Sequence, residues 1–204
     1  MSNKEDAVIR VLAEKAERRG YQTISFDLPE HGERTADGIP CKVQHCINDL
    51  RKIMDYARKC WPKISLFGCS MGAYFSLREY RDELLDQALF LSPVVNMQRI
   101  IANMMNGFGV SKAQLEEAKK IQTPMGQMLY WDDYIDVFEN PIRQWNCETS
   151  ILFGAHDALC ERDTIDDFVL RFGSRLDVLE YGEHYFHTPQ QLAGFSAWLK
   201  QEIH

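Results

Sequence analysis

Apolar positions change their spacing several times along this 204-residue chain, and each change marks a predicted element. Ser2-Asn3-Lys4-Glu5 has the S-x-x-E form of a capping box. From there to about residue 19, Val8, Val11, Leu12 and Ala16 fall on one helical face, and Gly20 stops the run. Residues 21–26 are a short β-rich run ending in a polar loop, Asp27-Leu28-Pro29-Glu30-His31-Gly32-Glu33-Arg34. Helical spacing returns over residues 43–59 through Val43, Cys46, Ile47, Leu50, Ile53, Met54 and Ala57, and Pro62 breaks it. Residues 63–67 read as a strand, residues 71–81 as a helix carrying Tyr74, Phe75 and Leu77, and residues 87–91 as a strand closed by Ser92-Pro93. The alternation resumes with a strand at 150–154, a helix at 163–172 and a strand at 175–181. A last helix starts at Thr188-Pro189-Gln190-Gln191, a T-x-x-Q capping box with proline at the first helical position, and runs to about residue 202.

Five strands separated by helices predict one α/β domain over residues 1–204. Its mostly parallel, doubly wound sheet of about five strands is covered on both faces. Between residues 97 and 146 the alternation stops. That stretch holds a helical run at 112–121, two breaks at Pro124 and Pro141, and many large apolar side chains. Met104, Met105, Phe108, Met125, Met128, Tyr130, Trp131, Tyr134 and Phe138 suit a small helical cap or lid over a pocket. They equally suit packing of the insertion against the body, and the two roles are compatible.

Charge and cysteine usage narrow the function. A net charge of −7 and a pI near 5.4 argue against a nucleic-acid or anionic-membrane partner, either of which wants a basic patch. No apolar run approaches the ~20 residues of a membrane span, and residues 1–6 lack a signal-peptide core. The six cysteines form no C-x-x-C pair and no Cys/His ligand spacing, so reduced thiols in a cytoplasmic protein are expected, with no metal. No G-x-G-x-x-G or Walker-type loop follows a strand, which disfavours a nucleotide-binding domain and leaves no cofactor implied.

The candidate chemistry sits at strand ends, where reactive loops gather in such sheets. Gly68-Cys69-Ser70-Met71-Gly72 joins a strand to a helix in the G-x-S-x-G pattern, which holds a serine in a strained turn. Both glycines are expected to relieve close backbone contacts, and the helix start beside Ser70 offers N–H groups to an oxyanion. By itself the pattern arises by chance in roughly one chain in fifteen of this length. Two further loops strengthen it: Gly154-Ala155-His156-Asp157 after one strand, and Gly182-Glu183-His184-Tyr185-Phe186-His187 after another. Serine, acid, histidine is a chain order that fits triad chemistry, in which an imidazole activates the hydroxyl and a carboxylate fixes the imidazole.

With the Asp27–Gly32 loop, these motifs make the chain similar to the α/β-hydrolase-fold serine hydrolases, of the small bacterial lipase-, esterase- and acylhydrolase-like kind. The resemblance spans about residues 5–200 and implies Ser70 as nucleophile, Asp157 as acid, His184 as base and the Met71 N–H as one oxyanion donor. His187 is the rival base, and His184 is preferred because it lies nearer the strand end. Asp157 could instead cap the helix that follows. His31 has a structural role by resemblance, His156 reads as exposed, and Cys69 holds the variable position of the motif rather than the nucleophile's. The family's front strands and its His-Gly oxyanion loop have no counterpart before Met1-Ser2-Asn3-Lys4-Glu5-Asp6, which resembles the tail of that loop. An N-terminally shortened form is therefore expected, with the backbone edges beside residues 21–26 and 63–67 left open unless these segments pair with each other or another chain fills the gap. The implied activity is hydrolysis of an ester, thioester or related acyl bond of a small molecule through an acyl-enzyme. The alternative is a catalytically impaired relic or binding protein of the same fold.

Overall fold

The computed structural model describes residues 3–124 and 126–204. Its first half runs α1 (Ala7–Glu17), α2 (Val43–Cys60), β1 (Ser65–Cys69), α3 (Met71–Glu79) and β2 (Gln87–Leu91). Then come α4 (Met97–Gly107), α5 (Lys112–Ala118), β3 (Lys120–Gln122), β4 (Met128–Tyr130) and α6 (Trp131–Glu139). The chain finishes with β5 (Thr149–His156), α7 (Arg162–Phe172), β6 (Arg175–Glu183) and α8 (Pro189–Glu202). A short 3-10 turn occupies Gly32–Ala36.

Four strands form a parallel sheet in the order β1-β2-β5-β6, the expected α/β layout. Side chains alternate across it with the period of two that strands impose. Ala88, Phe90, Ile151 and Phe153 face a large cluster built with α2, α3 and α7, to which residues 97–146 contribute Ile101, Met105, Leu115, Leu129 and Val137. Leu89, Leu91 and Leu152 face the opposite cluster, made with Val8 of α1 and Phe195, Trp198 and Leu199 of α8. Every residue of β2 is buried, as a central parallel strand requires.

Three sequence expectations shift. Residues 21–26 form no strand; Phe26 packs on the large cluster, Tyr21 on the other, and Trp61 Nε1 donates to Gln22 Oε1 at 2.6 Å. A β-rich run becomes a strand only where a neighbour's backbone can pair with it. Among the described residues β1 pairs with β2 alone, and residues 21–26 have no ladder partner. The first helix begins at Ala7 rather than at the capping box, whose Ser2 lies outside the described residues, as does Met125. Lys4 gives its backbone N–H to the Asp27 carboxylate (2.7 Å), so residues 3–6 form a turn tied to the 27–33 loop. The helix predicted over 112–121 stops at Ala118, where Lys119 turns left-handed (φ 63°) and the chain enters an antiparallel hairpin, β3–β4.

α6 is fastened to the body by polar contacts. The Arg78 guanidinium of α3 meets Asp136 at 2.9 Å, with both side chains largely buried. Asp133 Oδ1 accepts the Val43 N–H (3.1 Å) at the start of α2, where no intrahelical acceptor exists. Burial pushes the Asp133 carboxyl up to about 6, against the opposing pull of that N–H, with nearby Asp132 and Asp136 adding to the rise. Because this lies above the ~3.9 of an unfolded aspartate, the folded state holds the proton more tightly. The stability this confers is present near pH 4 and lost as pH rises through about 6. Asp133→Asn keeps the acceptor oxygen and removes the charge. Urea denaturation at a series of pH values should therefore show the natural chain losing ground to the variant between about pH 4 and 7; parallel profiles would refute the assignment.

Candidate active site

Strand β1 turns into α3 at a single residue, Ser70, which takes φ 50° and ψ −123°. A non-glycine residue adopts such a conformation only where its surroundings hold it. Here the Ser70 N–H donates to the Leu91 carbonyl (3.2 Å), and its own carbonyl accepts the N–H groups of Ala73 and Val94, both at 3.1 Å. The end of β2 thus clamps the turn from the side. Of the two glycines expected to relieve crowding, only Gly68 does so. A Cβ there would lie 2.8 Å from the Ala73 Cα, whereas a Cβ on Gly72 would meet nothing within 4 Å.

The acid and base arrive through a second close approach. A Cβ on Gly154 would lie 2.6 Å from the Gly182 backbone, so β5 and β6 touch where only glycines fit. From that contact the two loops diverge and return facing one another. Asp157 Oδ1 accepts the N–H groups of Leu159 (2.9 Å) and Cys160 (2.8 Å), while Oδ2 receives His184 Nδ1 at 2.8 Å. The rival capping role is thus partly filled by the other oxygen, but on the loop, since α7 starts later at Arg162. His184 Nε2 lies 2.8 Å from Ser70 Oγ. A carboxylate can only accept, so Nδ1 carries the proton, Nε2 is left as the acceptor, and the serine hydroxyl donates to it. The Asp157 side chain is 0% exposed and that of His184 20%, which leaves one edge of the imidazole open.

The remaining candidates separate cleanly. His187 is exposed, with Nδ1 against the Tyr185 carbonyl (2.9 Å) and Glu183 at 3.6 Å, and takes no part in the serine network. His156 is exposed, and His31 donates from Nδ1 to the Pro29 carbonyl at 2.8 Å. Burial pushes the Cys69 thiol up to about 12, helped by the Asp6 and Asp157 charges, so it is a neutral thiol beside the serine. Burial and the Asp157 charge do the same to Cys160, again to about 12. Asp157, Cys160 and His184 bring three potential ligand atoms within 4.8 Å, but the carboxylate and both ring nitrogens are engaged in the serine relay. The Met71 N–H, first in α3, has no hydrogen-bond partner among the described residues. Sequence reasoning missed Gly154 and Gly182 as positioning residues, although a glycine at the C-terminal end of each of two neighbouring strands was the visible signal. Burial, with hydrogen bonding and charge from Asp6, raises the Tyr185 phenol.

A cavity of about 670 Å³ lies between the 30–42 segment and residues 118–132, with Tyr130, Trp131, Lys42, Lys119 and Lys120 among its walls. Ser70, Asp157 and His184 do not line it. Tyr130 and Trp131 line this wall, Trp131 and Tyr134 also pack on the large cluster, and Phe138 is exposed; Trp131, Tyr134 and Phe138 stack along α6 at centroid separations of 5.4 and 4.5 Å.

A parallel sheet with a strained serine at the end of β1, and an acid and a histidine after β5 and β6, has the α/β-hydrolase fold, as comparison with solved structures shows. Est1E from Butyrivibrio proteoclasticus, solved with ferulic acid bound, matches with a TM-score of 0.79 at 17% identity, over 98% of this chain and 83% of its own. Alpha/beta hydrolase domain-containing protein 10 from mouse matches with a TM-score of 0.73 at 16% identity, over 98% and 84%. An esterase of Pyrococcus furiosus matches with 0.68 at 17% identity, over 98% and 76%. No protein-family model and no curated protein sequence matches the chain.

The two elbow glycines should respond oppositely to the same substitution. Gly68→Ala drives a methyl into the backbone of α3 and should destabilise by about 1–3 kcal/mol. Gly72→Ala enters open space within a helix and should be neutral or stabilise by up to about 1 kcal/mol. Equal unfolding midpoints for the two variants would contradict this picture of the turn.

Proposed function

We propose that the chain is a serine hydrolase that cleaves an ester, thioester or related acyl bond of a small-molecule substrate through an acyl-enzyme. One observation carries the reading: the continuous relay from Ser70 Oγ to His184 Nε2 and from His184 Nδ1 to Asp157 Oδ2, each step 2.8 Å. In this reading Ser70 Oγ attacks the acyl carbon as Nε2 takes its proton. Asp157, sealed from water, stabilises the imidazolium and holds the ring in the tautomer that leaves Nε2 free to accept. The oxyanion accepts the Met71 N–H at the start of α3, where the helix dipole adds to the attraction. The imidazolium then protonates the leaving group, and water repeats the sequence on the acyl-enzyme.

Residues 97–146 serve as a cap in this proposal, giving the acyl side of the substrate an apolar, aromatic surround. The ferulic acid on Est1E and the esterase name of the Pyrococcus furiosus protein support an aryl or alkyl carboxylic ester as the first class to test.

A fluorophosphonate probe should label the purified protein at Ser70, and Ser70→Ala should abolish labelling while leaving the circular-dichroism spectrum intact. Asp157→Asn, which upsets the imidazole tautomer, should lower kcat on a p-nitrophenyl ester on the order of 10³–10⁴-fold. Folded natural protein that takes no label would favour the alternative, an inactive binding protein of this fold.

A further inference from the structure

Away from the serine site, two cysteines face each other at the mouth of α2. Cys46, in the helix's first turns, is 0% exposed, and its Sγ lies 3.7 Å from that of Cys41, which is partly exposed on the extended segment before the helix. His31 completes the group. Its Nδ1 donates to the Pro29 carbonyl (2.8 Å), which leaves Nε2 as the acceptor in the neutral ring, and the neighbouring Cys41 thiol, against the effect of burial, raises the imidazole above its ordinary range. The Cys41 N–H is held by Glu30 Oε2 (2.9 Å), so the segment bearing the thiol is pinned opposite Cys46. No other pair among the described cysteines makes a sulfur–sulfur contact. We propose that Cys41 and Cys46 are a peroxide-reactive dithiol that closes to a reversible disulfide, with His31 as the base that prepares Cys41.

The chemistry follows from the asymmetry of the pair. Hydrogen bonds from Cys46 and from His31 draw the Cys41 thiol down to about 6, whereas the bond to Cys41 and burial hold the Cys46 thiol well above its ordinary value. Cys41, partly exposed, is the thiol a peroxide reaches first, and Cys46, 0% exposed beside it, is the resolving thiol. The thiolate attacks one oxygen of a hydroperoxide, the O–O bond breaks, and the departing hydroxide or alkoxide takes the proton from the His31 imidazolium. The product is Cys41 sulfenic acid. The Cys46 thiol then passes its proton to neutral His31 as its sulfur attacks that of Cys41, and the expelled hydroxide recovers the proton as water. Two thiols lose two electrons in all, and the peroxide gains them. The sulfurs must close from 3.7 Å to the ~2.05 Å of a disulfide, a displacement that side-chain rotation at the partly exposed Cys41 can provide. Pro40 and Lys42, on either side of Cys41, line the 670 Å³ cavity, so the bridge would form in its wall.

The test uses the full chain, with hydrogen peroxide at one equivalent and thiols counted after denaturation. The count should fall from six to four and return to six with dithiothreitol. Trypsin cleaves after Lys42, so the bridge should appear as peptide 35–42 joined to peptide 43–51. Cys46→Ser should stop at a sulfenic acid trapped by dimedone on Cys41, and Cys41→Ser should give neither product. His31→Gln should slow thiol loss at pH 7 by roughly tenfold, because less Cys41 is ionised. Oxidation that falls first on exposed Cys60, a cross-link between other cysteines, or a rate indifferent to His31 would each overturn the proposal.

Discussion

The backbone of Ser70 is the constraint on which the rest of the site depends. A conformation of this kind costs about 1–3 kcal/mol, and nothing local to the serine repays it. The compensation comes from β2: the Leu91 carbonyl takes the Ser70 N–H, the Val94 N–H reaches back to the Ser70 carbonyl, and Leu91 and Val94 are themselves fully packed. Burying one such side chain contributes about 1.5–3 kcal/mol, so the strand that clamps the turn easily outweighs the strain. Ser92, the residue after β2, is strained in its turn (φ 41°) and gives its N–H to the Leu152 carbonyl of β5. The distortion is thus shared along consecutive strand ends rather than concentrated at the serine.

The same economy explains how two loops far apart in sequence meet within hydrogen-bond distance. Parallel strands deliver their C-terminal ends to one edge of the sheet, but ordinary strand spacing would leave Asp157 and His184 apart. The Gly154–Gly182 contact pulls β5 and β6 together just before the loops begin, and the β5–β6 register slips there, between Gly154 and His156. Asp157 is then fixed by three donors, two from its own loop and one from the histidine. A buried carboxylate held by those donors is fixed in position against the imidazole.

What could be read from the sequence followed the range of the forces involved. Helix faces and buried strands were legible because they are set by side chains a few residues apart; the α2 stripe through Leu50 and Met54, and the Thr188 capping box, are cases where local pattern and fold agree. Ser70, Asp157 and His184 were legible as a set because each follows a strand in a fixed order, and the structure brings all three together. Residues 21–26 failed as a strand because pairing is non-local: β propensity in Tyr21 and Phe26 says nothing of whether a neighbouring backbone is in reach. The β3–β4 hairpin was missed for a related reason. Its three-residue strands are too short to show alternation, and the helical pattern runs on into Lys119, where the chain turns left-handed.

The polar joints of α6 decide which parts of residues 97–146 can move. Arg78 and Asp136 are largely buried, and separating them would leave charges without partners at a cost of about 3–5 kcal/mol. A rigid lifting of the whole segment would break this pair together with the Val43–Asp133 and Lys42–Asp132 contacts. The α5 helix and the β3–β4 hairpin are held differently. They rest on the side chains of Leu115 and Leu129 and on the Trp131 N–H to Lys119 carbonyl bond, with no buried ion pair among the described residues. α6 is thus joined by largely buried polar contacts to α3 and to the start of α2. A segment anchored in this way keeps its place relative to Ser70, the residue that turns the chain into α3.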